Sequence, residues 1–124
     1  MSTEEQTAVG NRTTMDPVAD FLAAFNAHDL DRALAYLAPD YLMERPPGTV
    51  IIQSREALRA AFSSLFAQSP TLHVEVRNRF QVGQWVIDEH HLTGANVAGD
   101  ISDRHVAEIY RVVNGTIVSS CIFE

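Results

Sequence analysis

The feature that most constrains this chain is a change of hydrophobic period at Thr71. Before it, apolar residues recur at helical spacing, and after it they alternate one by one. Val18, Phe21, Leu22 and Phe25 fall at i, i+3, i+4 and i+7, and Leu58, Ala61, Phe62, Leu65 and Phe66 form a second such stripe. Further on, Leu72, Val74, Val76, Asn78, Phe80 and Val82 alternate with His73, Glu75, Arg77, Arg79 and Gln81, as in a half-buried strand. A block of helices followed by a block of strands points to an α+β fold with an antiparallel sheet.

Start and stop signals divide the first half. Asp16 suits an N-cap and Pro17 the first helical position. A second helix capped by Asp29 is expected to bury Leu30, Ala33, Leu34 and Leu37 and to end at Pro39. YLMERPPG then reads as a short extended piece and a loop, because Pro46-Pro47-Gly48 can continue neither helix nor strand. TVIIQ reads as a short strand, Ser54 starts a third helix, and Pro70 closes that segment.

Turn chemistry sets the expected strand register. Gly83-Gln84 suits a type II′ hairpin that places Val82 opposite Trp85. Counting back pairs Phe80 with Ile87, Asn78 with Glu89, Val76 with His91 and Val74 with Thr93. The other face then pairs Arg79 with Asp88 and Arg77 with His90, which sets opposite charges across from one another. In this register Trp85, Ile87, Glu89 and His91 point inward, while Asp88, His90, Arg77 and Arg79 are solvated or interface charges. The last hairpin, about 103–113 and 115–124, turns at Val113-Asn114-Gly115 through a two-residue turn or a three-residue turn with Gly115 left-handed. The three-residue form places Glu108, Tyr110 and Val112 with Val118, Ser120 and Ile122, and Ala107, Ile109, Ile117, Cys121 and Phe123 on the opposite face. Both faces are apolar, so one lines the interior and the other meets a second subunit.

Composition narrows the function classes. A chain of 124 residues fits one domain, and we expect residues 1–14, polar and without periodicity, to be a disordered leader to a domain spanning 15–124. The net charge of −7 argues against a nucleic-acid surface, which needs clustered Lys and Arg. No apolar run reaches the roughly 20 residues of a membrane span. Cys121 is the single cysteine, so an internal disulfide is excluded and a reducing, cytoplasmic compartment is expected.

The order of two helices, a proline-rich loop, a third helix and four long strands resembles the nuclear transport factor 2-like superfamily, which includes SnoaL-like polyketide cyclases and ketosteroid isomerases. The segments that carry the resemblance are FLAAFNAHDLDRALAYLAPDYLMERPPG, WVIDEHHLTG and HVAEIYRVVNGTIVSS. The resemblance implies a cone: a bent antiparallel sheet wrapped by three N-terminal helices around a ligand cavity. It also implies a homodimer through the outer sheet face. The steroid isomerases place an acidic base where this chain has Arg45, before Pro46, and a tyrosine where it has Phe21. Their second acid matches Glu108. Only one of the three positions keeps suitable chemistry, so steroid-type isomerisation is not expected, and fold alone does not supply function.

The candidates for chemistry are therefore Glu89, His91 and Glu108, as acid–base groups in an apolar cavity. Arg45 would pair with Glu89 or Glu108 or orient an anionic group. Asn78, Trp85, Tyr110, Tyr41, Met43 and Ser120 complete the expected binding wall, with Trp85 and Tyr110 offering flat faces. Glu89 and His91 share a strand face, but a metal site needs further ligands and only Glu108 is at hand, so neither metal nor cofactor is expected. The function this supports is acid–base catalysis on a small hydrophobic carbonyl compound: isomerisation, dehydration or aldol-type cyclisation. Glu89 or Glu108 would be the base, and His91 and Tyr110 the donors. The rival is a non-catalytic binding or assembly module of the same fold.

Overall fold

The computed structural model describes residues 13–124, so all but the last two positions of the expected leader lie outside the described residues. The element order is α1 (Asp16–Asn26), α2 (Leu30–Leu34), β1 (Leu37–Arg45), β2 (Thr49–Gln53), α3 (Arg55–Gln68), β3 (His73–Val82), β4 (Trp85–Val97), β5 (Asp100–Val113) and β6 (Thr116–Phe123). One open, curled sheet runs in the order β2-β1-β6-β5-β4-β3. Its neighbours are antiparallel except β1 and β6, which are parallel.

The caps follow from local chemistry. The Asp29 carboxylate accepts from the Arg32 N–H and the Ser54 hydroxyl from the Ala57 N–H, each satisfying an orphan donor of a first turn. The expected cap at Asp16 is displaced by one residue. Met15 occupies the cap, and Asp16 lies in the first turn, where its carboxylate accepts from the Thr13 N–H at 2.6 Å. Helix α2 stops at Leu34 rather than at Pro39, because Leu37 onward pairs with β6.

Helices α1 and α3 cover one face of the sheet with aromatic side chains. Phe25 meets Phe62 and Phe66 edge-on at 5.1 Å, and Phe21 reaches Tyr110 of β5 at 6.5 Å. The core beneath them includes Val18, Leu34, Leu58, Val86 and Ile117, all buried. The β4–β5 ladder is interrupted by a bulge between Thr93 and Ala95, at Gly94. Gly94 has φ +81°, and a Cβ there would stand 2.4 Å from the Thr71 carbonyl oxygen, so the approach of these two backbones requires glycine.

Two β-bulges decide which side chains face the helices. In the β3–β4 hairpin Gly83 has a positive φ and Val82 pairs with Trp85, Phe80 with Ile87 and Asn78 with Glu89, as the turn chemistry requires. Between Val76 and Asn78 the register slips by one, so Val76 meets His90 and Val74 meets Leu92, not Thr93. The apolar alternation of β3 therefore changes side at the bulge. Val74 is buried against the helices, whereas Phe80 and Val82 are exposed on the far face.

The second bulge lies beyond the last turn. Asn114 and Gly115 both have positive φ and Val113 pairs with Thr116, so the turn is the two-residue form. Tyr110 still pairs with Ser120 and Glu108 with Ile122, but the slip at Val118 brings Ile117 across from Val112. Ile117, expected on the outer face, is wholly buried in the core. Ile117→Ala should lower the unfolding free energy by about 2–5 kcal/mol, and Val118→Ala, at a half-buried site, should cost less. Urea melts of the two variants would reveal a misplaced bulge if that order were reversed.

Candidate functional site

The helices and the inner face of the sheet line an open-mouthed cavity of about 160 Å³. An apolar cavity of about 150 Å³ accommodates a benzene-sized group, so the volume suits a small ligand. Its walls are mostly apolar, with Phe21, Phe25, Met43, Phe62 and Val106 among them, and its ionisable lining is His90, Glu108, Arg45 and Arg104, joined by the hydroxyl of Tyr110.

The polar floor is built from neighbouring strands. Asp88 of β4 is wholly buried, and Arg79 of β3 grips it through two hydrogen bonds of 2.6 and 2.7 Å. Burial alone would raise the Asp88 pKa, but the bonds from Arg79 and His90 outweigh it and hold the carboxyl below its ordinary range. Two residues along the same strand face, the His90 ring nitrogen Nε2 lies 2.8 Å from Asp88 Oδ2. Ionised Asp88 can only accept, so Nε2 carries the proton and a neutral ring turns its Nδ1 lone pair the other way. On that side Glu108 of β5 stands 3.7 Å from Nδ1.

Glu108 is the titratable group that the cavity changes most usefully. Burial pushes its pKa up, and the neighbouring His90 and the hydroxyls of Ser120 and Tyr110 only partly offset this. Ser120 is itself bound to the Tyr41 hydroxyl beneath the floor. Burial also raises both tyrosines, with Glu108 adding to the effect. The Tyr110 hydroxyl is buried, and although no partner among the described residues meets strict hydrogen-bond geometry, it lies close enough to Glu108 for the two groups to interact. A buried hydroxyl beside a carboxyl can donate to it or to a ligand oxygen set next to it.

Several expected site residues lie elsewhere. Glu89, His91, Trp85 and Asn78 sit on the face of the sheet away from the cavity, because β4 presents Val86, Asp88, His90 and Leu92 to the helices instead. Glu89 accepts from Asn78 and His105 there, which lowers its pKa, and His91 bonds Arg77 and Asp103. Trp85 is 44% exposed beneath the Arg111 guanidinium. With the sheet between Glu108 and the pair Glu89–His91, these three cannot share an ion. Arg45 reaches the cavity but pairs with Glu124 and not with Glu89 or Glu108. Glu108, Tyr110, Met43 and Arg45 line the cavity, and Tyr41 and Ser120 support its floor.

The residues that sequence reasoning missed are Asp88, His90, Arg79 and Arg104. A usable signal was the charge pairing itself. Arg79, Asp88 and His90 form a self-satisfying set that can be buried, whereas inward Glu89 would have had only Asn78 opposite it on β3.

The pKa of Glu108 is raised in the folded state, so the folded chain binds more protons than the unfolded one once the pH exceeds about 4.5. Stability contributed at this position is therefore lost as the pH rises from there towards the folded pKa. Urea midpoints measured from acid to neutral pH should fall for the parent chain relative to Glu108→Gln. Parallel curves would show that the carboxyl is not desolvated.

Residues 18–120 match the family described as SnoaL-like domain. A cystatin-fold protein from Novosphingobium aromaticivorans superposes with a TM-score of 0.85 at 22% identity, covering 92% of this chain and 100% of that one. A proposed SnoaL-like polyketide cyclase from Jannaschia gives 0.75 at 18% identity, over 91% and 89% of the two chains. IdmH, a proposed polyketide cyclase from Streptomyces antibioticus, gives 0.75 at 23% identity, over 90% and 91%. These likenesses establish the fold. No curated protein matches the sequence.

Proposed function

This chain belongs to the SnoaL-like domain family, and from that premise we propose that it binds a small hydrophobic carbonyl compound and transfers a proton next to the carbonyl. The observation that carries the reading is the trio at the cavity floor: Glu108, whose burial favours the neutral carboxyl, the Tyr110 hydroxyl beside it and the Nδ1 face of His90. Tyr110 and Glu108 donate hydrogen bonds to the carbonyl oxygen, and His90 Nδ1 accepts the proton from the adjacent carbon. The resulting enolate, held by those two donors, is common to isomerisation, dehydration and aldol-type cyclisation. Asp88, fixed by Arg79, orients the ring and stabilises the imidazolium that forms. The names of the Jannaschia and Streptomyces proteins favour the same class of substrate.

Deuterium exchange tests the chemistry without knowledge of the product. β-Tetralone in deuterium oxide should lose its α-protons faster with the protein than without it, as followed by proton NMR. Glu108→Gln and His90→Asn should each slow the catalysed exchange by about a hundredfold, while Glu89→Gln on the far face leaves it unchanged. Saturable binding with no exchange above the buffer rate would reduce the domain to a ligand binder.

The far face of the sheet supports a homodimer. Phe80, Val82, Trp85 and Phe123 are exposed there, and Ile87 and Ile109 lie between them. A stripe of this kind on a soluble domain is a partner surface or an aggregation liability. Sedimentation velocity should give a dimer for the parent chain and a monomer for Phe123→Asp, and a variant that stays dimeric would place the interface elsewhere. The single Cys121, half-buried on this face and with its thiol pKa raised by burial, suits a reducing cytoplasm. Among the described residues no helix is long and apolar enough to cross a membrane.

A further inference from the structure

The floor of the cavity accounts for Glu108, His90 and Tyr110 but leaves two cations in its lining without a role. Arg45 ends β1 and Arg104 lies on β5, two strands separated in the sheet by β6. Their guanidinium groups nevertheless converge on one carboxylate. Arg45 Nη1 donates to Glu124 Oε1 at 2.7 Å, Arg104 Nε donates to Oε2 at 2.7 Å, and Arg104 Nη2 also meets Oε1. On the inner face of β5 the order is Tyr110, Glu108, Val106, Arg104, so the arginine lies about 13 Å along the strand from Glu108.

The pairing at this end differs from that at the floor. Deeper in, Asp88 is matched by Arg79. Here two guanidinium groups share one side-chain carboxylate beside an apolar wall. Together they offer ten N–H donors by the guanidinium inventory of about five each, and only three are engaged with Glu124. A planar fork of this kind fits a carboxylate better than it fits any neutral oxygen.

We propose that Arg45 and Arg104 form a carboxylate seat at the cavity mouth, so that the ligand is an amphiphile with a benzene-sized apolar body and a carboxylate at one end. Glu124 occupies the seat as an internal competitor that the ligand displaces. The proposal rests on the cavity being the ligand site, as argued above, and adds the substrate class: a carbonyl compound that is also a carboxylic acid. The hold of Arg104 and Arg45 on Glu124 keeps that carboxyl at a pKa of about 2, so throughout the neutral range Glu124 is an ionised competitor that a ligand carboxylate must displace.

The test uses the full chain with two probes of equal shape, hydrocinnamate and its neutral amide, titrated calorimetrically at low ionic strength. Hydrocinnamate should bind about tenfold more tightly than the amide. Arg104→Gln should abolish that difference without weakening the amide, and Arg104→Lys should restore part of it. Glu124→Gln, a change at an exposed side chain, should tighten the acid several-fold and leave the amide alone. Equal affinities for acid and amide, or no selective effect of Glu124→Gln, would overturn the seat. If both probes bind equally and Phe25→Trp excludes both, the cavity remains the ligand site while the carboxylate preference falls. If neither binds, both readings fall.

Discussion

The buried carboxylate of Asp88 is the constraint on which the site depends. An ionised group with no exposure is tolerable only when its lone pairs are filled, and Arg79 and His90 fill them. The grip of Arg79 is bidentate and comes from the adjacent strand, so it fixes where β3 lies against β4 as well as satisfying a charge. It commits the Val86–Asp88–His90 side of β4 to the interior. The position of His90, and through it the pairing of an imidazole with Glu108, follows from that commitment.

The arrangement divides the polar groups of the cavity into two kinds. Asp88 is surrounded by donors and stays ionised, whereas Glu108 has only an imidazole, a serine and a tyrosine nearby and is driven towards its neutral form. The pKa values of two carboxylates on adjacent strands thus shift in opposite directions because one has a cation in contact and the other does not. The aromatic side chains of α1 and α3 pack over this floor and make most of its surroundings apolar. At the other end of β5, Arg104 restores positive charge where the wall opens.

Much of the fold was legible because it depends on local patterns. The apolar stripe of Phe21, Leu22 and Phe25, the caps at Asp29 and Ser54, and the Gly83-Gln84 turn each act over a few residues. The register read from that turn held from Val82 to Asn78. It failed at the next residue, because a bulge leaves no mark in an alternation that merely continues on the other side of the sheet. Glu89 and His91 were placed inside on that unbroken count, and the same blind spot misplaced Ile117.

What the sequence determined by itself was the class of the fold, the order of its elements and the presence of Glu108 and Tyr110 on one strand face. These rest on periodicity and turn residues, which are properties of the chain over short distances. What only the tertiary structure decided was which face of β4 turned inward and which charges met. Arg79 reaches Asp88 across a hairpin, Arg45 and Arg104 reach Glu124 across the sheet, and two bulges set the phase between them. Such contacts are selected by the cost of burying an unpaired charge, and that cost exists only once the sheet has closed over the cavity.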